Sequence, residues 1–144
     1  MLRAVRFFSL LFVALALAPG LAHLFALPNK IGMDADDYLA AQQIYRGWAL
    51  LGALVIGALF FTLVHAVLVR GERRRFVPAL IAFLCIAGTQ AIFWTLTFPA
   101  NEATANWTLL PDSWQALRAQ WEYSHAAAAA LGLAAMVASI LAVL

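Results

Sequence analysis

Residues 118–144 read RAQWEYSHAAAAALGLAAMVASILAVL. The final 19 of these, from Ala126 to Leu144, carry no charge, whereas the eight before them include an arginine, a tryptophan, a glutamate and a histidine. At about 1.5 Å of rise per residue, an uncharged run of this length suits a helix crossing a hydrocarbon core about 30 Å thick. The stretch therefore reads as a membrane helix with a polar entrance, and the rest of the chain agrees. Hydrophobic residues make up 65% of the 144 residues, charged residues 11%, and the mean hydropathy is +0.88. These values exclude an ordinary soluble domain.

Three more uncharged runs precede it, at residues 7–29, 47–69 and 76–99. Together they predict an all-α, integral membrane four-helix bundle, with helices over about 5–28, 47–69, 76–98 and 116–144 in one domain covering 1–144. The first run follows Arg3 and Arg6 and contains Ala16-Leu17-Ala18, features shared with a secretory signal, but its length reads as a retained helix. Gly52 and Gly57 in the second run permit close helix contact. The lone Cys85 lies inside the third and reads as a small buried hydrophobe.

Basic residues collect in cytoplasmic connections, so Arg3, Arg6 and RGERRR at 70–75 put both termini in the cytoplasm. The net charge of +2 follows from these clusters and carries no nucleic-acid signal. Residues 28–46 and 100–116 then face outward. Within the first of these loops, DADDYLAAQQIY at 34–45 has acids at a helix start and helix formers behind them, which predicts a short interfacial helix. An Ala/Leu/Arg-rich chain of this kind points to a bacterial inner (plasma) membrane, crossed several times.

Depth along the helices brings polar residues together. His23 falls roughly 24 Å and His125 roughly 29 Å from the cytoplasmic edge, which places both near the outer boundary. Gln42, Gln43, Tyr45, Trp48, Asn101 and Glu102 reach a similar height, with Gln90 about two turns below Pro99. In the fourth helix Ala126, Ala130, Ala134, Ala138 and Ala142 form a small-residue ridge that extends back through Glu122 and Arg118. Spacings of three and four make Arg118, Trp121, Glu122 and His125 one patch, with Tyr123 and Ser124 pointing away.

The chemistry of this patch leaves alternatives open. Glu122 and His125 form an ExxH pair that, with His23, would supply two histidines and a carboxylate to a non-haem metal. His23 and His125 alone would suit the axial positions of a haem. No metal, haem or other cofactor is assumed. In the structural alternative Glu122 pairs with Arg118, His125 hydrogen-bonds another helix and Trp121 marks the interfacial aromatic belt. His65 reads as a snorkelling interfacial residue, Gln90 as an interhelical hydrogen-bond donor, and Pro99 as the end of the third helix.

The chain resembles the anthrone oxygenase-like family of small four-helix membrane proteins. The features that carry the likeness are His23 with Leu27-Pro28-Asn29-Lys30 closing helix one, Phe98-Pro99-Ala100-Asn101 closing helix three, and Leu117-Arg118 with Trp121-Glu122-Tyr123-Ser124-His125 opening helix four. Such proteins often carry an arginine shortly after this histidine, where the present chain has alanines. The resemblance implies a four-helix bundle that oxygenates an aromatic polyketide without an obvious bound cofactor, and it carries over Asn101, Trp121 and His125.

The resulting expectation is an oxidoreductase or oxygenase-like protein acting on a lipophilic small molecule in an outer-leaflet pocket. His125 is the acid/base group, Glu122 orients it, and Asn101 stabilises an oxyanion. Trp121, His23, Gln90, Tyr45 and Arg118 would contact the substrate. The alternative is a non-catalytic accessory subunit, surrounded by membrane lipids and packed against a larger complex or against copies of itself. Solute transport fits less well, because the chain shows neither an inverted repeat nor a broken helix.

Overall fold

A computed structural model describes residues 1–144. The elements in chain order are α1 (Leu2–Lys30), α2 (Ala35–Gln42), α3 (Gly52–Leu68), α4 (Arg73–Ile92), α5 (Phe98–Ala103) and α6 (Trp114–Val143). Two 3₁₀ turns, Gln43–Tyr45 and Trp48–Leu51, lead into α3, and a π-helical turn, Phe93–Thr97, joins α4 to α5. There are no strands. Four helical stretches are long and apolar enough to cross a bilayer: Leu2–Lys30, Trp48–Leu68, Arg73–Ala103 and Trp114–Val143. The chain is thus an all-α, multi-pass membrane four-helix bundle.

The spanning helices form a ring in which α1 and α4 each pack against both α3 and α6. Small residues fill its axis. Val13, Ala58, Ile86 and Ala135, one from each helix, form the central layer, and Ala66, Val69, Ala79 and Ala142 a second one nearer the chain ends. Leu2 and Phe76 pack on that second layer, so both termini and the α3–α4 connection share one end of the bundle. Larger side chains such as Ile56, Phe60, Leu84 and Leu141 point outward. Lipid tails are as apolar as leucine, so close packing of small residues, rather than hydrophobicity, drives association of the helices.

The acidic stretch before α2 behaves as expected: Asp34 caps the helix, its carboxylate accepting from the Asp37 backbone N–H at 3.0 Å. Other expectations need correction. A spacing of four drifts about 40° per step, so the alanine ridge does not keep to one face: Ala130 and Ala134 are exposed while Ala138 and Ala142 are buried. The buried face instead runs through Glu122, Ala129, Gly132, Ala135, Ser139 and Ala142, at spacings of three, four and seven. Ser124 is buried rather than turned away, and its hydroxyl lies 2.8 Å from that of Thr97. His65 does not snorkel and is only 1% exposed.

Pro99 does not end the third spanning helix. Proline lacks an N–H and its ring crowds the carbonyl four residues earlier, so an uninterrupted α-helix is disfavoured there. The chain widens into the π turn just before the proline, with the Phe98 N–H reaching back to the Phe93 carbonyl. The Gln120 amide donates to the Leu96 carbonyl at 2.8 Å, satisfying an acceptor within the turn. The helix then continues to Ala103.

Gly57 marks the tightest approach of α1 and α3. A Cβ built there would lie 2.3 Å from the Phe12 ring. Gly57→Ala should therefore destabilise the bundle by about 1–3 kcal/mol, the usual cost of overpacking, and shortening the neighbour in Phe12→Leu/Gly57→Ala should recover part of it. Unfolding followed in detergent checks both, and an unchanged Gly57→Ala midpoint would contradict the packing.

Candidate functional site

The helices separate at the end opposite the termini and enclose a cavity of about 1030 Å³. Its deep wall comes from α1, α4 and α6, through His23, Ile86, Gln90, Ala129 and Gly132, and its rim from the 3₁₀ segments and the α5–α6 loop. Leu50, Ile56 and Trp94 line the cavity while remaining 83%, 70% and 60% exposed. The cavity therefore opens between the start of α3 and the π turn onto the lipid-facing surface.

His23 and His125, placed at one level by their depths, are in contact: the rings stack with centroids 4.0 Å apart and an interplanar angle of 17°. Aromatic side chains surround the pair, with Tyr45 4.3 Å from His23 and Trp121 4.3 Å from His125, both between centroids. Trp48 meets His23 edge-on at 5.5 Å. The Nδ1 of His23 is buried with no protein partner. Such an atom has a hydrogen bond to offer a guest, since leaving a buried polar group unpaired costs about 1–3 kcal/mol.

Asn101 is oriented by its neighbour. The indole N–H of Trp121 donates to Asn101 Oδ1 at 2.8 Å. An indole N–H can only donate, so the atom it meets is the carbonyl oxygen, and the amide N–H groups are left to face the cavity. Thus His23, Tyr45, Gln90, Asn101, Trp121 and His125 all line one space. Gln90 forms no interhelical hydrogen bond and belongs to the cavity wall instead.

Two residues expected here lie elsewhere. Glu122 is buried behind Trp121, where Oε1 is 2.9 Å from Lys30 Nζ and accepts from the Tyr38 hydroxyl at 3.0 Å. It neither orients His125 nor pairs with Arg118. Arg118 donates to the Met33 carbonyl and lies over the Trp114 ring at 4.7 Å, outside the cavity. The proposed metal set of His23, Glu122 and His125 consequently does not form. Glu122 is already engaged, and stacked imidazoles aim their in-plane lone pairs nearly alongside one another rather than at a common ion. No three His, Cys, Asp or Glu residues are arranged to hold one. Axial haem ligation fails on the same geometry, because a macrocycle would have to lie between rings that are in contact.

Lys30, part of the stretch closing helix one, and Tyr38, inside the predicted interfacial helix, were given no role in the site by the sequence. Lys30 is the only lysine in the chain, and its position at the end of a membrane helix is the one available signal. It is 4% exposed, and its ammonium lies 4.6 Å and 4.8 Å from the Tyr45 and Trp121 ring centroids. Cation–π attraction adds to the ion pair. Tyr38 is fully buried; Gln42 donates to its hydroxyl, and Arg118 lies 5.5 Å from its ring. Trp107 is also buried, edge-on to Tyr38 at 5.0 Å. It ends a left-handed turn of Ala105, Asn106 and Trp107, with φ of 47°, 56° and 60°. That conformation costs about 1–2 kcal/mol for a residue such as alanine or tryptophan. Burial of the indole and the Trp107 N–H bond to Thr104 Oγ1 at 3.1 Å hold it in place.

Comparison of the chain with protein-family models, with curated proteins and with solved structures gives no match.

Two outcomes follow from the buried network. Lys30→Met should cost about 3–5 kcal/mol, because it leaves Glu122 charged and unpaired, and Lys30→Met/Glu122→Gln should cost clearly less than the sum of the single changes. Additive losses in unfolding midpoints would show that the pair is not coupled. Burial, and then the adjacent Glu122 carboxylate, raise the Tyr38 phenol well above its ordinary value. In the unfolded chain a phenol ionises near about pH 10 while folded Tyr38 stays protonated, so stability falls as pH rises past that point. Tyr38→Phe should lessen this alkaline loss, and an unchanged pH profile would argue against the shift.

Proposed function

We propose that the protein is a small membrane-embedded, oxygenase-like oxidoreductase, acting on a lipophilic aromatic substrate in the outer-end cavity. The observation that carries this reading is a single one: a large aromatic-walled cavity, open to the lipid beside Leu50, Ile56 and Trp94, with the stacked His23 and His125 in its wall. Large apolar pockets with a few convergent polar groups are where ligands bind. The resemblance to the anthrone oxygenase-like family points to the same chemistry, in which a phenol-activated methylene and dioxygen become a carbonyl and water.

His125 takes the proton from the activated carbon, and the Asn101 amide N–H groups stabilise the oxyanion that develops on the ring. Trp121 has two roles, holding Asn101 in orientation and walling the ring. His23 meets the substrate through its free Nδ1 or passes the proton on from its stacked partner. Glu122 belongs to the scaffold in this scheme. The setting is a bacterial inner membrane, with both termini cytoplasmic and the cavity at the outer leaflet.

A second reading has its own support. Ala127, Ala130 and Ala134 form a small-residue strip on the exposed side of α6, suited to close approach by another helix. It favours an accessory subunit or a homo-oligomer.

Oxygen uptake with an aromatic polyketide carrying a phenol-activated methylene tests the catalytic reading. His125→Ala should lower turnover by about 10²-fold or more while the protein stays folded, and Asn101→Ala should lower it by about 10²-fold. Full activity in His125→Ala would reject the mechanism. Purification only within a larger assembly, with no turnover by the isolated chain, would favour the accessory reading.

A further inference from the structure

The other half of the bundle contains a polar level that the outer cavity does not use. Four residues from each member of the central layer, or about 6 Å towards the chain ends, are Ser9, Thr62, Ala82 and Ser139. Each is 1% exposed. A further three residues along, on the same faces of α1 and α3, come Arg6 and His65, the latter also 1% exposed. Arg6 and Arg75 are the charged side chains within electrostatic reach of His65.

Five polar atoms of this level are buried without a hydrogen-bond partner: Ser9 Oγ, Ser139 Oγ, His65 Nε2, and Nε and Nη2 of Arg6. Only Thr62 is satisfied internally, its hydroxyl donating to the Ala58 carbonyl at 2.6 Å. Buried polar groups almost always have a partner, so several orphans on adjoining faces call for a shared one. The chemistry of the set is one-sided. Arginine can only donate, serine and histidine can each donate, and no carboxylate lies among them. At this end of the chain six arginines (3, 6, 70, 73, 74 and 75) face a single acid, Glu72, which is paired with Arg75 at 3.0 Å.

We infer that Arg6, Ser9, His65 and Ser139 form a binding site for a small inorganic anion in the half of the bundle nearer the termini. The guest is the size of a single halide ion. The only concavities are the outer cavity and a groove beside Arg74, and neither reaches this level. The neighbouring buried residues of this end, Ala66, Ala79 and Ala142 with Ala82 on the serine level, have small side chains. The ion faces the buried Nε and Nη2 of Arg6, a partly exposed residue that no protein carboxylate pairs with. A phosphate oxygen from an anionic lipid offers the same chemistry, and the experiment separates the two sources.

The protein is reconstituted in nanodiscs of purely zwitterionic lipid, and thermal unfolding is followed by tryptophan fluorescence while chloride or bromide replaces gluconate at constant ionic strength. A saturable rise in midpoint is expected, and Arg6→Gln and Ser139→Ala should each weaken the apparent halide affinity by about tenfold or more. Ser139→Ala is the milder change and keeps the test valid if Arg6→Gln fails to fold. No halide response in either lipid would mean that the level holds water only and would overturn the inference. A response to anionic lipid in gluconate with none to halide would assign the site to lipid phosphate and overturn the free-ion source. Equal halide affinity in Ser139→Ala and wild type would remove these residues from the site.

Discussion

The ion pair of Lys30 and Glu122 is the contact on which the cavity end of the bundle depends. It joins the last residue of α1 to the third turn of α6, and through the Tyr38 hydroxyl it draws α2 onto both. Two buried charges lose much solvation, and their attraction offsets this only when further bonds satisfy the remaining groups. Here Tyr38 donates to carboxylate Oε1 while Oε2 is left without a partner, and the Tyr45 and Trp121 rings face the ammonium. The same two rings contact the stacked histidines. The ion pair thus fixes the aromatic walls from behind, and they fix the imidazoles. Charge and cavity are neighbours separated by one layer of rings.

The sequence made the fold legible because a bilayer tolerates few solutions. Four uncharged runs could only be four helices, and the helix-capping acids at Asp34 to Asp37 announced α2. Depth counting also matched His23 with His125, since rise per residue is fixed within a helix. Partner choice was less legible. Glu122 has Arg118 four residues before it on its own helix, yet it bonds Lys30, which is 92 residues away and reaches it only through the bundle. The packing of α1 against α6 decides that choice, and local spacing does not encode it. Pro99 misled for the opposite reason. The local rule for proline was sound, but Gln120 on a neighbouring helix satisfies the disturbed backbone.

The two ends of the molecule solve the same problem differently. At the end opposite the termini buried charge is balanced within the chain, carboxylate against ammonium, and space is left for a large guest. At the end near the termini the buried polar groups include a donor-only arginine and no carboxylate, and small side chains lie among them. Between them the layer of Val13, Ala58, Ile86 and Ala135 is wholly apolar. It separates the two polar regions by a layer that contains no charged side chain.

The π-helical turn at Phe93–Thr97 has an effect beyond accommodating a proline. A π turn amounts to one residue inserted into an α-helix, and each residue advances the helix by roughly 100°. Every side chain after the turn is therefore out of phase with those before it by about that angle. Thr89, Gln90 and Phe93 reach the cavity on the phase of α4, and Asn101 reaches it on the shifted phase of α5. One surplus residue thus lets a single spanning helix offer two different faces to the same space.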